Sequence, residues 1–265
     1  MTRRVLVTGG ATRLGALICG QFAQAGWEVW CHYHRSSDAA ERLCAHWRAK
    51  GGAIHAVAAD LHDEAQREKL ISGISERAGP LDALVNNASS FEPDTGANLD
   101  IEGARSQLEV NLLAPLSLSA HMARSLAGLN DGLAGRRSII HILDQKVYNL
   151  NPDYFSYTVS KLALERAVAL QAQALAPAIR VCGIAPGLMF LSGPQTQENF
   201  DRAGKVNLLR RATDPAQVAE TCLFLANSTA ITGTTVCVDN GQHLVPLDRD
   251  VMFVVQDLLG GQHAG

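Results

Sequence analysis

Arg4-Val5-Leu6-Val7-Thr8-Gly9-Gly10-Ala11-Thr12-Arg13-Leu14-Gly15 opens the chain, and an Ala-, Leu- and Ile-rich stretch follows to Ala25. An apolar run, a glycine turn and a helix-forming stretch make one strand–turn–helix unit. The same alternation continues to the far end. Strand candidates are 4–7, 28–33, 53–58, 83–86, 138–143, 180–184 and 235–238; helix candidates are 13–25, 39–50, 64–78, 104–126, 154–174 and 215–226. Such alternation implies a parallel sheet with helices on both faces. Parallel strands are covered twice and should be almost continuously apolar. Ser138-Ile139-Ile140-His141-Ile142-Leu143 fits that demand. The expected fold class is therefore α/β, a doubly wound parallel sheet of about seven strands in a single domain.

Bulk properties narrow the function classes. A net charge of -3 with no basic stretch argues against nucleic acid as a partner. The six cysteines are scattered without a Cys-x-x-Cys pair. A chain of this length buries a core without disulfides, so reduced, mostly buried thiols are expected. No apolar stretch approaches the roughly 20 residues of a membrane span, and Thr2-Arg3-Arg4 leads straight into a strand too short for a signal peptide. A cytoplasmic location is expected. Linkers, repeats and low-complexity tracts are absent, so residues 1–265 read as one domain. The least patterned stretch is 188–207, which follows a strand, where ligands of such sheets bind. A substrate lid and an ordinary surface excursion both remain open there.

The nucleotide end comes first. Glycines at a strand-to-helix turn let backbone approach a pyrophosphate, and the helix N-terminus faces its charge. Gly9, Thr12, Arg13 and Leu14 are the candidate contacts. The second strand ends in Cys31-His32-Tyr33-His34-Arg35-Ser36, with no carboxylate before Asp38. An acidic residue here would bind a ribose 2′-hydroxyl, whereas a guanidinium grips a 2′-phosphate in fork geometry. His34, Arg35 and Ser36 therefore point to NADPH. His32 and His34 share a strand face but complete no metal site, and no metal is expected. After the third strand, Asp60-Leu61 offers an acceptor for the adenine amino group; capping of the helix from Glu64 is the other reading of Asp60.

The chemical end is Tyr157-Thr158-Val159-Ser160-Lys161. Residues four apart share one helix face. An ammonium beside a phenol favours the phenolate and lowers its pKa, giving an acid or base usable near neutrality. Tyr148 and Tyr154 flank this region and are candidates for pocket lining or for core. Asp144, just past the apolar run 138–143, reads on its own as a strand-end cap.

Taken together, the Thr8–Gly15 turn, Asn86-Asn87-Ala88, Asn111, Tyr157 with Lys161, Pro186-Gly187 and Val238-Asp239-Asn240-Gly241 make the chain resemble the short-chain dehydrogenase/reductase family from end to end. Two departures stand out: Arg13 where the family's middle Gly is usual, and Asn240 in place of a Gly. The resemblance implies a Rossmann-like fold, with Asn87, Ala88, Ser89, Asn111, Tyr157, Lys161, Pro186, Gly187 and Leu188 joining the cofactor site. It narrows to the pteridine and dihydromonapterin reductases. Arg13, the run from His32 to Ser36, Asn87-Ala88-Ser89-Ser90-Phe91, and Asp144 where most relatives carry a catalytic Ser all support this. A pterin C=N bond needs hydride at carbon and a proton at nitrogen, and a carboxyl bonded to Tyr can relay that proton.

The resemblance thus implies Asp144, Tyr157 and Lys161 as catalytic residues, with Lys161 holding the nicotinamide ribose and lowering the Tyr157 pKa. Phe91 would stack on the pterin, Ser89 would bind the pterin or a cofactor phosphate, and Arg13 would reach both pyrophosphate and pterin edge. The substrate is then a dihydropterin, with dihydrofolate or an oxidised pterin as further candidates. Met189-Phe190-Leu191 predicts a more apolar pocket wall than in the protozoan enzymes. A carbonyl reductase of 3-oxoacyl thioesters or ketones is the enzymatic alternative, and a non-catalytic NADPH-binding protein is the other. A homotetramer is implied as well. The tail 244–265 is apolar enough to pack on a neighbouring subunit or to cover its own sheet edge.

Overall fold

Arg137–Ile142 is buried along its whole length, as a strand covered on both faces must be. In the computed structural model it is β5 of a seven-stranded sheet in the order β3-β2-β1-β4-β5-β6-β7, parallel throughout. The strands are β1 (Arg4–Val7), β2 (Glu28–Tyr33), β3 (Ile54–Ala58), β4 (Ala83–Asn86), β5, β6 (Ile179–Pro186) and β7 (Thr235–Val238). The helices are α1 (Arg13–Gln24), α2 (Ser37–Ala49), α3 (Glu64–Ala78), α4 (Ile101–Leu108), α5 (Ala114–Ser125), α6 (Phe155–Leu175), α7 (Gln197–Ala203), α8 (Pro215–Asn227) and α9 (Val251–Gly261). The structure describes residues 2–129, 132–193 and 195–261, with 257–261 as backbone only.

The core lies in two layers, one on each face of the sheet. Val5 and Val7 point into one layer with Ile18 and Phe22 of α1 and Cys222 and Leu225 of α8. Leu6 points the other way, to Leu84, Ile139, Ile74 of α3, Leu118 of α5 and Leu164 of α6. This is the two-residue period of a strand feeding two cores. Each such side chain contributes about 1.5–3 kcal/mol on full burial. All six cysteines are free thiols, five buried and Cys237 half-buried.

Strand order reverses between β1 and β4, so the first glycine turn and the ends of β4, β5 and β6 open into one crevice. Three local features depart from the sequence reading. The helix expected over 104–126 is interrupted by a π-turn, Glu109–Leu113, ahead of Pro115 in α5. The cap of α3 is Asp63, not Asp60: its carboxylate accepts from the N–H groups of Ala65 (2.8 Å) and Gln66 (3.3 Å). The stretch 188–207 contains α7, and the tail contains α9. Those two helices join through Asn199 Nδ2, which donates to Met252 O at 2.8 Å. Among the described residues no helix is long and apolar enough to cross a membrane, and no His, Cys, Asp and Glu cluster can hold a metal.

Candidate active site

The glycine turn is held from three sides before any ligand arrives. Gly9 has φ +60°, which L side chains rarely adopt. A Cβ at Gly15 would lie 2.0 Å from Gly9 O, so α1 approaches the turn as only glycine allows. From β4, Asn87 Nδ2 donates to Thr8 O (2.9 Å) and Gly9 O (3.1 Å), and Thr8 Oγ1 accepts the N–H groups of Asn87 (2.9 Å) and Ala88 (3.0 Å). From β2, buried His32 accepts Gly9 N–H on Nδ1 (3.1 Å), which leaves Nε2–H to donate to Ala59 O (3.1 Å). Burial pushes this histidine down to about 4 and keeps it neutral.

Arg13 adopts φ +49° where a glycine would be relaxed. Its guanidinium lies 4.9 Å over the Phe190 ring and donates to Leu191 O at 2.9 Å. It therefore ties the glycine turn to the loop after β6. Asn240, the other departure, has φ +55°, a conformation that Asn tolerates.

Beyond the turn, a cavity of about 370 Å³ is lined by Thr12, Tyr33, His34, Arg35, Ser36 and His62. The Arg35 guanidinium has no acceptor among the described residues, which suits a 2′-phosphate. His62 escaped the sequence reading. Its Nδ1 is 3.1 Å from Asp60 Oδ1 and its Nε2 is 3.0 Å from Ser106 Oγ. Its backbone N–H also donates to Asp60 at 3.0 Å and, as the largest cause, holds that carboxyl below its ordinary range. Leu61 is buried in the core beneath.

A second cavity, of about 480 Å³, begins at the same turn. Gly9, Thr12, Arg13 and Leu14 line its near end; Asn87, Ala88, Ser89 and Phe91 line the β4 side. Asp144, Tyr157 and Lys161 form the floor, and Pro186, Gly187, Leu188, Met189 and Phe190 the opposite wall. The apolar wall expected from 189–191 is thus present in Met189 and Phe190. Tyr154 lines the cavity and stacks on Phe91 at 4.0 Å. Tyr148 turns outward and donates to Glu165 at 2.9 Å. Asn111, aimed inward by the π-turn, stands behind the wall: it accepts from Ser89 Oγ (3.1 Å) and Ser90 N–H (2.8 Å) and donates to Ser160 Oγ (3.1 Å).

α6 delivers Tyr157 from an unusual start. Tyr154, its N-cap, is left-handed and supplies no side-chain cap. Asp94 does so instead, accepting the N–H of Ser156 at 3.0 Å and also its hydroxyl. Tyr157 Oη then donates to Asp144 Oδ2 at 2.9 Å. Asp144 Oδ1 accepts the Lys146 N–H at 2.9 Å, capping a short 3-10 turn. One Asp144 oxygen thus caps the turn after β5 and the other faces Tyr157. Burial raises the Asp144 pKa.

One expectation is corrected. Lys161 does not lower the Tyr157 pKa in this arrangement. Burial, followed by the Asp144 carboxylate, raises it well above the ordinary phenol range. The Lys161 ammonium donates to Ile142 O at 2.8 Å and lies 5.6 Å from the Tyr157 ring centre. Burial pushes Lys161 itself down to about 8. The tyrosine is thus held as a proton donor, the form a reduction needs.

A glycine turn opening a helix and a buried Tyr–Lys pair at the reversal of a parallel sheet are the arrangement of an oxidoreductase built around a dinucleotide. The family model described as enoyl-(acyl carrier protein) reductase matches residues 9–243. Pteridine reductase 1 of Leishmania tarentolae is 33% identical over 281 aligned positions, covering 90% of this chain and 96% of that one. Dihydromonapterin reductase of Citrobacter koseri is 27% identical, covering 91% and 96%. The crystal structure of FolM alternative dihydrofolate reductase 1 from Brucella canis, complexed with NADP, superposes with a TM-score of 0.86 at 38% identity, covering 91% of this chain and 94% of that chain. The chain belongs to the short-chain dehydrogenase/reductase family, whose members use NAD or NADP.

Proposed function

We propose that this reductase uses NADPH to reduce a C=N bond in a pterin ring, converting a dihydropterin to a tetrahydropterin. The observation that carries the reading is the 2.9 Å hydrogen bond between Tyr157 Oη and buried Asp144. NADPH, when bound, supplies the hydride. Arg35, His34 and Ser36 hold its 2′-phosphate, the turn from Gly9 to Leu14 takes the pyrophosphate, and Lys161 takes the nicotinamide ribose. Tyr157 gives its proton to the ring nitrogen, and the Asp144 carboxyl returns one to Tyr157. A carboxyl whose pKa is raised by burial suits that second step. Phe91, braced by Tyr154, stacks on the pterin, while Ser89 and Arg13 bind its polar edge. A 3-oxoacyl or ketone substrate fits less well, because a carbonyl gains from a neutral hydroxyl donor where Asp144 stands.

Assembly as a homotetramer belongs to the same reading. Exposed Leu113, Leu170 and Phe224 give it apolar surface to bury, and sedimentation velocity checks it. The deciding experiment is NADPH oxidation with dihydrobiopterin, dihydromonapterin, dihydrofolate and an acetoacetyl thioester, with NADH in parallel. Pterin turnover with NADPH preferred is expected. Turnover of the thioester alone would discard the pterin reading.

A further inference from the structure

The C-terminal segment supplies part of the cavity lining. Asp250, Val251 and Met252 belong to that lining, and both apolar residues are buried. This segment is fastened by charge. Arg249 Nε donates to Asp153 at 2.8 Å, and the Asp250 N–H donates to the same carboxylate at 2.7 Å. Lys146, almost fully buried, donates through Nζ to Asn151 Oδ1 (2.8 Å), Asp153 O (3.1 Å) and Asp250 Oδ2 (3.2 Å). The Lys146 backbone N–H holds Asp144. One residue therefore touches both the proposed proton relay and the segment that lines the cavity. Phe253, 6.2 Å from Tyr154, extends the Phe91–Tyr154 stack beyond the cavity.

We propose that residues 249–253, latched by Lys146 and Asp250, are the substrate-selecting wall of this site. They restrict it to pterins with a short uncharged side chain and exclude the aryl-glutamate tail of a folate. The proposal rests on the pterin reading above. Two physical arguments support it. First, Val251 and Met252 are buried and line the cavity, so they occupy space that a longer side chain would need. Second, the cation that this segment engages, Lys146, has no donor left for a glutamate. Among the described residues the cavity's cationic side chains are Arg13, Lys146 and Lys161. Lys146 has three acceptors, Lys161 donates to Ile142 O, and Arg13 donates to Leu191 O. Asp250 would meet an incoming carboxylate with like charge. Its oxygens keep lone pairs beyond those used by Lys146 and the Met252 N–H, and these suit a side-chain hydroxyl.

The test compares kcat/KM for dihydrobiopterin and dihydrofolate, with NADPH saturating, in the wild type, Lys146→Met, Lys146→Arg, Asp250→Asn and Met252→Ala. Melting temperature and NADPH affinity verify that each variant is folded. The wild type is expected to favour dihydrobiopterin by at least about tenfold, roughly 1.4 kcal/mol. Lys146→Met and Met252→Ala should raise the relative use of dihydrofolate by about that factor, Asp250→Asn should do so by lowering its KM, and Lys146→Arg should retain wild-type selectivity. Parity of the two substrates in the wild type, or an equal loss on both in the variants, overturns the selecting wall while leaving pterin reduction standing. Turnover of neither substrate by the wild type is a different failure: it removes the pterin reading and the proposal with it.

Discussion

Tyr157 and Asp144 meet at 2.9 Å through one carboxylate oxygen, while the other oxygen caps the turn that follows β5. The two duties separate by substitution. Asp144→Asn keeps an oxygen for the Lys146 N–H but cannot return a proton to Tyr157. Its kcat on a dihydropterin should fall about 10²–10⁴-fold, the usual scale of acid–base catalysis, with NADPH affinity nearly unchanged. Steady-state kinetics with a fluorescence titration of NADPH check this. Near wild-type turnover would refute the relay.

The pH profile follows from the directions of the shifts. In the proposed relay, the neutral Asp144 carboxyl is the form that reprotonates Tyr157. It is present below the folded pKa, which burial raises, and is lost as pH climbs past it. kcat should therefore decline above the ordinary carboxylate range. A second decline should begin near pH 8, where Lys161 loses its charge. Asp144→Asn should remove the first limb and keep the second.

Acid should destabilise the fold before most carboxylates titrate. His32 and His141 are both buried, and burial lowers each from 6.5 to about 4. Between those values the unfolded chain binds more protons, so stability rises with pH through the window and is lost as pH falls. At about 1.4 kcal/mol per unit, each histidine accounts for about 3 kcal/mol. Asp144 acts in the opposite sense where its raised pKa overlaps the window. Urea denaturation across this range should show the decline, and Asp144→Asn should steepen it.

In the proposed reading, Arg35 sets the choice of dinucleotide. Losing charge-assisted hydrogen bonds worth about 1.5–3 kcal/mol should raise the NADPH KM of Arg35→Ala by about 10- to 100-fold, with little change for NADH. Parallel titrations with the two cofactors decide it. An equal loss for both would mean that Arg35 does not contact the 2′-phosphate.

Most of the sheet was legible because its signals are local. Apolar runs, the turn after Val7 and the Tyr157/Lys161 spacing lie within single windows. The unread parts depend on contacts between distant residues. Lys146 and Asp250 are 104 positions apart, and nothing in either neighbourhood announces the pair. α7 and α9 are stabilised by each other, so neither stands out as an amphipathic stretch. The π-turn around Asn111 looks like ordinary helix until Ser90 and Ser160 claim its amide. The Tyr157 pKa was misread for a related reason: spacing revealed the ammonium, but not the burial that, ahead of the Asp144 carboxylate, raises it.

The bracing of the glycine turn by Thr8, Asn87 and His32 bears on how fast the cofactor arrives. A socket whose amides and carbonyls are already engaged has little disorder left to lose, so docking costs chiefly the ligand's own freedom. Encounter should then be close to rigid-body. Loosening the socket, as Thr8→Val would by removing one acceptor for two N–H groups, should slow NADPH association by making it wait for a competent turn.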